Sequence, residues 1–242
     1  MLSKSQIKYI QSLGQKKFRD EEGLFIAEGP KIVNELLTEI PNLVKTVYGI
    51  KEWLNENSNF PAKIEFIEIS EIELERISQL STPNKVLAVI HKLKYDEIVS
   101  SNNLTLVLDT IQDPGNLGTI IRSADWFGIK QIVCSVNSAD MYNSKVIQAT
   151  MGSIARVKII YTDLAAWLKQ QKAAIYASAL EGKDIRKMNR LTEGIIIIGN
   201  ESKGIHAEVM QLANEKITIP KPGHAESLNA AVATAIILSH IV

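Results

Sequence analysis

The chain has 242 residues, 45% of them hydrophobic and 22% charged, which is typical of a globular protein rather than a disordered or fibrous one. Its 27 basic residues balance its 27 acidic residues, which excludes a protein that coats nucleic acid by bulk charge but not a local basic face. The single cysteine, Cys134, excludes an intrachain disulfide and a thiolate metal site.

The two ends of the chain predict a cytoplasmic protein without a membrane span. Residues 1–14 lack the uninterrupted apolar core of a signal peptide, and the apolar run 230–242 is shorter than the ~20 residues that a membrane helix needs. A reducing compartment agrees with the lone cysteine.

Residues 1–95 predict a smaller α/β domain, because short β-rich runs alternate with helical patterns. Pro30 stands at a favourable first helical position. The predicted helices are 5–13, 30–37, 51–57 and 70–78, and the predicted strands are 24–29, 44–50, 63–69 and 85–91.

Residues 92–103 are polar and without a clear period, which predicts a linker and a domain boundary near residue 96. Residues 96–242 predict a second α/β domain with a parallel sheet, since runs such as "GIIIIG" suit strands covered on both faces. The predicted strands are 104–109, 131–136, 156–161, 173–180, 194–199 and 216–220, and the predicted helices are 117–127, 144–151, 164–171, 207–213 and 227–242.

Polar loops follow three of these strands, at residues 113–124, 199–204 and 220–231. Ligands of α/β sheets collect at the carboxyl ends of strands, where helix N-termini present free N–H groups. The first loop lacks the glycine spacing of a dinucleotide fold and the Gly-Lys-Ser/Thr of a phosphate-binding loop. Taken singly, each loop has a structural explanation: Asn116 as a helix cap, a turn at 199–204, and Ser227 as a cap with Asn229 in the first turn.

Taken together and in order, the three loops resemble the motifs of the SpoU (TrmH) family of SPOUT methyltransferases over residues 103–242. The first motif is matched by Asn116, Gly118, Arg122 and Ala124. The second is matched by Gly199, Asn200, Glu201 and Gly204, and the third by Ile219, Pro220, Gly223, Ser227, Leu228 and Asn229. Residues 25–37 are similar to part of the family's substrate-binding domain.

The resemblance implies an enzyme that methylates ribose 2′-hydroxyls of ribosomal or transfer RNA with S-adenosyl-L-methionine. It also implies a C-terminal trefoil knot, and a homodimer whose active sites are completed near the interface. Implied catalytic residues are Arg122, Asn116, Glu201, Ser227 and Asn229. Implied cofactor-binding residues are Leu180, Gly199, Asn200, Ile219, Leu228 and Asn229.

Arg122 is assigned by the resemblance to activation of the hydroxyl, which some accounts describe as general-base catalysis. A guanidinium, with a pKa above ~12, is normally a donor only. We therefore prefer a role in which Arg122 binds the phosphate beside the target ribose and lowers the pKa of the hydroxyl. The structural alternative is an ion pair between Arg122 and Glu201, and for Ile219 and Leu228 it is a place in the core.

Candidate RNA contacts are basic residues in three short segments, although a small charge cluster is usually only a solvated face. They are Lys16, Lys17, Arg19 and Lys31, with Arg186, Lys187 and Arg190 as a further group. The histidines at 91, 206, 224 and 240 have no metal-ligand spacing, so no metal site is expected.

Two other functions are weighed against the enzyme. A non-catalytic RNA-binding relative that acts in ribosome assembly would keep the fold without turnover, and the intact Arg122, Glu201 and Asn229 favour the enzyme over it. A nicotinamide-dependent oxidoreductase is disfavoured by the missing glycine fingerprint.

Overall fold

The computed structural model describes residues 1–57, 63–95 and 103–242. The chain divides into two compact units: Met1–Lys94 with Tyr142–Ala155, and Tyr95–Met141 with Arg156–Val242. Of the predicted linker, residues 96–102 lie outside the described residues, as does the predicted boundary at residue 96.

The first unit is built on a four-stranded mixed sheet in the order β1-β4-β2-β3, in which only β2 and β3 pair in parallel. Its strands are β1 (Leu24–Glu28), β2 (Val44–Gly49), β3 (Glu65–Glu68) and β4 (Val86–His91). Its helices are α1 (Lys4–Ser12), α2 (Lys16–Glu22), α3 (Pro30–Glu39), α4 (Lys51–Glu56) and α5 (Glu71–Ile77), joined by α7 (Ser144–Thr150) from the later part of the chain.

Helix α7 packs against β1 although more than a hundred residues separate them in sequence. The side chain of Gln148 donates a hydrogen bond to the carbonyl of Glu28 at 2.9 Å. The rings of Phe25 and Tyr142 lie 4.8 Å apart between centroids. The first unit is therefore completed by a segment that sequence alone placed with the second half.

Glu73 ties the N-terminus to helix α5. Its carboxylate accepts the backbone N–H and the hydroxyl of Ser70, the residue that caps α5 in a capping box. It also accepts the backbone N–H of Leu2. These backbone donors favour the charged form and lower the pKa of Glu73 to about 2.

Because the folded pKa of Glu73 lies below its ordinary value of 4.5, its contribution to stability is complete above about pH 4.5 and is lost as the pH falls towards 2. Glu73→Gln is expected to lower the melting temperature at pH 7 and to flatten its dependence on pH in that window. Thermal melts across the pH range, with the exposed Glu71→Gln as control, measure this. Parallel curves for Glu73→Gln and wild type would contradict it.

The second unit confirms the predicted α/β fold with a parallel sheet. Every neighbouring pair is parallel in the strand order β10-β8-β9-β5-β6-β7. The strands are β5 (Leu104–Leu108), β6 (Gln131–Ser135), β7 (Lys158–Thr162), β8 (Ile175–Asp184), β9 (Gly194–Ile198) and β10 (Glu215–Thr218). The helices are α6 (Pro114–Trp126), α8 (Leu164–Leu168), α9 (Ala207–Met210) and α10 (Ala230–Ile241).

Three helix assignments from the sequence were wrong. Helix α2 was not predicted, since its seven residues are mostly charged and offer no apolar period. Helix α6 begins at Pro114 because Asp113 caps it, so Asn116 is not the cap. Helix α10 begins at Ala230 with Asn229 as its cap, so Ser227 does not cap it. Both misplaced caps leave a site residue free for another role.

No helix of the described ranges combines the length and the hydropathy needed to span a bilayer. Within the same ranges, no group of three or more His, Cys, Asp or Glu residues is placed to hold a metal ion.

Candidate functional site

A cavity of about 540 Å³ opens at the carboxyl ends of β9 and β10, where ligands of parallel sheets bind, and beside the middle of β8. Most of its wall is formed by three stretches of chain, namely residues 178–180, residues 198–204, and residues 217–228 without His224. Ala230, Ala233 and Ile237 of α10 close it from one side. Its position makes it the candidate site.

Most of the predicted cofactor residues meet at this cavity. Leu180, Gly199, Asn200, Ile219 and Leu228 all line it, and the predicted catalytic residues Glu201 and Ser227 line it too. Leu180 is 75% exposed and Leu228 is 44% exposed. These two side chains are therefore not core residues, and their open apolar surface faces a space that a ligand could fill.

The turn 199–204 is closed by its glycines. A Cβ on Gly199 would lie 2.4 Å from the carbonyl carbon of Gly204, and Gly204 itself has a φ of +69°. The backbones of Asn200 and Gly204 exchange hydrogen bonds at 3.0 and 2.9 Å. Only glycine permits this approach, so the turn presents bare backbone to the cavity.

The side chain of Asn200 holds the turn from within. Its oxygen accepts the backbone N–H groups of Ser202 and Lys203 at 2.9 and 3.1 Å. Its amide nitrogen donates to the carbonyl of Thr110 at 3.0 Å. Asn200 thus lines the cavity, but the polar atoms of its side chain are engaged in shaping the loop.

One chain of hydrogen bonds links all three sequence motifs. Asn229 Oδ1 accepts the N–H groups of Ala231 and Val232, which caps α10, while Asn229 Nδ2 donates to Asn116 Oδ1 at 2.8 Å. Asn116 Nδ2 in turn donates to the carboxylate of Glu201. We call this chain, from Asn229 through Asn116 to Glu201, the motif relay.

The orientation of both amides in the motif relay follows from their partners. Backbone N–H groups can only donate, so the atom of Asn229 that caps α10 is its oxygen, and its nitrogen faces Asn116. Asn116 must then present its oxygen to Asn229 and its nitrogen to Glu201, whose carboxylate can only accept. Glu201 is thereby held at the cavity wall by a neutral donor rather than by a cation.

Arg122 lies outside this network. It is exposed on α6, it does not line the cavity, and it makes no hydrogen bond or ion pair with any residue of the described ranges. The structural alternative, an ion pair between Arg122 and Glu201, is therefore wrong for this chain: the Glu201 carboxylate is bound by Asn116 instead. An exposed and unpaired guanidinium is available for an anion outside the chain.

The predicted RNA contacts divide into exposed and buried residues. Lys16, Lys17 and Lys31 are exposed. Arg19 is 3% exposed, and its guanidinium donates to the carbonyls of Leu13 and Gly14 at 3.0 and 2.7 Å. The prediction for Arg19 was wrong, because this guanidinium is used to bind the end of α1 and is inaccessible to RNA. In the second unit Arg186, Lys187 and Arg190 are exposed, with Arg186 paired to Asp184 at 2.7 Å.

The sequence analysis missed two polar residues beside the motifs. Asp109, directly after β5, is 2% exposed, and its carboxylate is bound by His206, which follows the turn 199–204. A carboxylate directly after an apolar strand was the available signal, since such a group must be paired when buried.

Comparison with protein families matches two parts of the chain. Residues 103–239 match the SpoU rRNA Methylase family, and residues 4–88 match the MRM3-like substrate binding domain. The chain is 30% identical over 240 residues to a Bacillus subtilis protein named 23S rRNA (guanosine(2553)-2′-O)-methyltransferase RlmP, covering 98% of this chain and 95% of that one.

Solved structures give the same result over nearly the whole chain. A structure described as that of a TrmH-family RNA methyltransferase from Porphyromonas gingivalis is 37% identical, with a TM-score of 0.89 and coverage of 99% of this chain and 98% of that one. An AdoMet-bound rRNA methyltransferase from Sinorhizobium meliloti is 29% identical, with a TM-score of 0.84 and coverage of 99% and 95%.

Proposed function

The chain belongs to the SpoU rRNA methylase family, and we propose that it transfers a methyl group from S-adenosylmethionine to a ribose 2′-hydroxyl of ribosomal or transfer RNA. The observation that carries the proposal is the motif relay, which joins polar residues from three distant segments and ends at Glu201 in the cavity wall. Ribosomal RNA is the first candidate, because the B. subtilis relative matched over 95% of its length is named for 23S rRNA. Catalysis is favoured over a non-catalytic role, since the named relatives are methyltransferases.

The cavity fits S-adenosylmethionine in size and in chemistry. Its volume of about 540 Å³ is within the range of cofactor sites, and its walls include Ile198, Ile217 and Ile219 beside the exposed Leu180 and Leu228. Apolar walls suit an adenine ring. Gly199 and Gly204 carry no side chain, so a ligand can approach the backbone of the turn closely. When bound, S-adenosylmethionine supplies an electrophilic sulfonium methyl group.

In this proposal the residues of the chain position and activate the nucleophile. Arg122 binds the phosphate beside the target ribose through its planar guanidinium, and its charge lowers the pKa of the 2′-hydroxyl. The proton leaves to water or to a nearby group. Glu201, held by Asn116, and Ser227, exposed at the cavity wall, contribute acceptor and donor atoms beside the cofactor. Holding two reactants in line then supplies much of the rate.

Asn116→Asp is expected to lower the methylation rate at neutral pH, because it replaces the amide that donates to Glu201 by a second carboxylate facing Glu201. Two adjacent carboxylates cannot both ionise easily, so the pair takes up a proton at a raised pKa and regains an O–H donor as the pH falls. We expect a loss of at least about tenfold at pH 8, from one broken charge-assisted hydrogen bond, and partial recovery near pH 6.

Methylation assays across this pH range measure the effect of Asn116→Asp. Gln112→Glu adds the same charge to an exposed neighbour outside the motif relay and serves as control. A profile for Asn116→Asp that parallels wild type would contradict the role of the relay.

We propose that the protein acts as a homodimer whose interface includes α6 and α10. These helices pack on each other, and both carry exposed apolar side chains: Trp126, one turn after Arg122, is 84% exposed and Val232 is 48% exposed. Such a face placed against a second copy would remove this surface from water. It would also bring Arg122 beside the partner, which accounts for the absence of a contact to its own site among the described residues.

Light scattering tests the homodimer. Trp126→Glu is expected to shift the protein towards monomer and to reduce methylation, because a charge buried in an apolar interface is costly. Thr119→Glu, an exposed position two turns earlier on α6, is the comparison. A monomeric wild-type protein with full activity would overturn this part of the proposal.

We propose that the segment from β10 to the end of α10 forms the trefoil knot that the family resemblance implies. Two observations support the knot. Residues 217–228 share the cavity wall with residues 198–204, and the backbone N–H of Leu191 donates to the carbonyl of Ile241 at 2.6 Å. Removal of residues 227–242 is expected to abolish binding of S-adenosylmethionine, which calorimetry would detect.

The first unit is proposed to bind the RNA substrate, in line with its match to a substrate binding domain. Exposed Lys16, Lys17 and Lys31 are its candidate phosphate contacts. Phosphate contacts release counterions, so affinity should fall with salt, and each lysine replaced should reduce that slope. An RNA affinity that does not change with salt would contradict this role.

The decisive test of the proposed function compares 2′-O-methyl marks on cellular RNA with and without this protein, followed by methylation of the identified RNA by the purified protein. One mark that disappears from ribosomal or transfer RNA and is restored in vitro is the expected result. Unchanged marks in both RNA classes would overturn it.

A further inference from the structure

The side chain of Asp109 is buried, and three donor groups contact its carboxylate. It accepts the backbone N–H of His206 on Oδ2 at 2.7 Å, and His206 Nδ1 lies 2.9 and 3.0 Å from its two oxygens. The hydroxyl of Thr110 donates to Oδ1 at 3.0 Å. A carboxylate with 3% of its side chain exposed needs such partners, because burial without them is costly.

His206 is bound on one edge of its ring and open on the other. Half of its side chain is exposed, and Nδ1 must carry a hydrogen because the carboxylate can only accept. The contact to Asp109 therefore exists with a neutral Nδ1–H ring as well as with an imidazolium. Neither Asp109 nor His206 lines the cavity.

The Asp109–His206 contact is one of three side-chain links between residues 109–116 and residues 199–206. A second runs from the side chain of Asn200 to the carbonyl of Thr110, and the third is the bond from Asn116 to Glu201. The first two links do not involve the motif relay, but they hold the loop that carries Glu201. The position of Glu201 therefore depends on them.

The contacts of Thr110 hold its backbone in a conformation that threonine does not favour. Its φ is +58°, a left-handed conformation that a β-branched residue rarely adopts. Its N–H donates to Ser135 Oγ at 2.8 Å, its hydroxyl binds Asp109, and its carbonyl accepts from Asn200. Such a residue persists only where the surrounding contacts over-determine its conformation.

We propose that Asp109 and His206 are a positioning pair for the methyl-transfer reaction. They hold the loop 199–206 so that Glu201 meets Asn116 and the backbone of residues 199–204 forms the cofactor wall. The pair touches neither cofactor nor RNA and acts through the loop. This inference rests on the proposed function, since it assigns the pair to the same site.

The test compares His206→Ala, His206→Asn and the control Gln211→Ala, an exposed residue just after α9. Calorimetry with S-adenosylmethionine and the kcat and KM of methylation are the readouts. His206→Ala is expected to raise the Kd for the cofactor about tenfold, as for loss of one hydrogen bond to a charged group. His206→Asn should return it to within about threefold of wild type, because an amide N–H can replace the Nδ1–H.

Nitrogen NMR of the His206 ring gives a readout that does not depend on turnover. Wild type is expected to carry its hydrogen on Nδ1. In Asp109→Asn the new amide can donate to Nδ1, so the ring should change to the Nε2–H tautomer. Backbone amide shifts of residues 199–204 should move in His206→Ala and not in Gln211→Ala.

Equal cofactor affinity and kcat in His206→Ala and wild type would overturn the positioning pair, as would a wild-type ring with hydrogen only on Nε2. Failure of His206→Asn to recover binding would also overturn it, because the imidazole itself would then be required. A wild-type protein that binds no S-adenosylmethionine would instead overturn the proposed function, and the ring tautomer and loop shifts would still decide whether the pair holds the loop.

Discussion

Arg122→Ala is expected to leave the melting temperature within experimental error of wild type and to reduce the methylation rate by about 10²–10³-fold. The unchanged stability follows from the exposed position of Arg122 and from its lack of a partner in the described part of the chain. The loss of rate is that typical of removing one group that stabilises developing negative charge.

Arg122→Lys separates the two ways in which this residue could act. A lysine keeps the charge but not the planar fork that binds a phosphate through two parallel hydrogen bonds. We expect its rate to lie between those of wild type and Arg122→Ala. Lys130→Ala, which removes an exposed charge from the same unit, is the control. An unfolded Arg122→Ala protein, or an Arg122→Lys rate equal to wild type, would contradict the proposed role.

Gly199→Ala is expected to weaken binding of S-adenosylmethionine by up to about 100-fold and to lower the melting temperature. A Cβ at this position would lie 2.4 to 2.6 Å from backbone atoms of Gly204 and Ile205, so the turn 199–204 must open. Overpacking of this kind costs about 1–3 kcal/mol, and each 1.4 kcal/mol is about a factor of ten in affinity.

Gly223→Ala is the matched control for this substitution. Gly223 lines the same cavity, but a Cβ on it has no atom within 4 Å. Its cofactor affinity is expected to stay within about threefold of wild type. Calorimetry and thermal melts on both variants measure the difference, and equal losses in the two would show that close packing at Gly199 does not shape the site.

All six predicted strands of the second unit were confirmed because their signal is local, although β8 ends at Asp184 rather than at Leu180. A run such as residues 194–198 is buried on both faces and is apolar at every position, so composition alone identifies it. The helix starts were less well predicted, because Asp113, Asn116, Ser227 and Asn229 are all acceptable caps by residue type. Which one caps a helix depends on the tertiary partners that compete for the others.

Arg19 shows where a sequence pattern misleads. Three basic residues in four positions indicate a charged surface, yet the short helix α2 turns Arg19 towards the carbonyls that end α1. Lys16 and Lys17 on the same helix stay exposed. The direction and contacts of each side chain, which composition cannot express, separate a candidate RNA contact from a structural residue.

The sequence by itself determined the class of fold, the order of the strands along the chain, and the three motifs whose resemblance indicates an RNA methyltransferase. These follow from local composition and from residue identity. Only the tertiary structure decided that Asn116 joins Glu201 to Asn229, that Arg122 stands without a partner in the described residues, and that Asp109 binds His206. The residues of these three hydrogen-bonded pairs are 85 to 113 positions apart in the chain. They come together only because of the order of the parallel strands in the sheet.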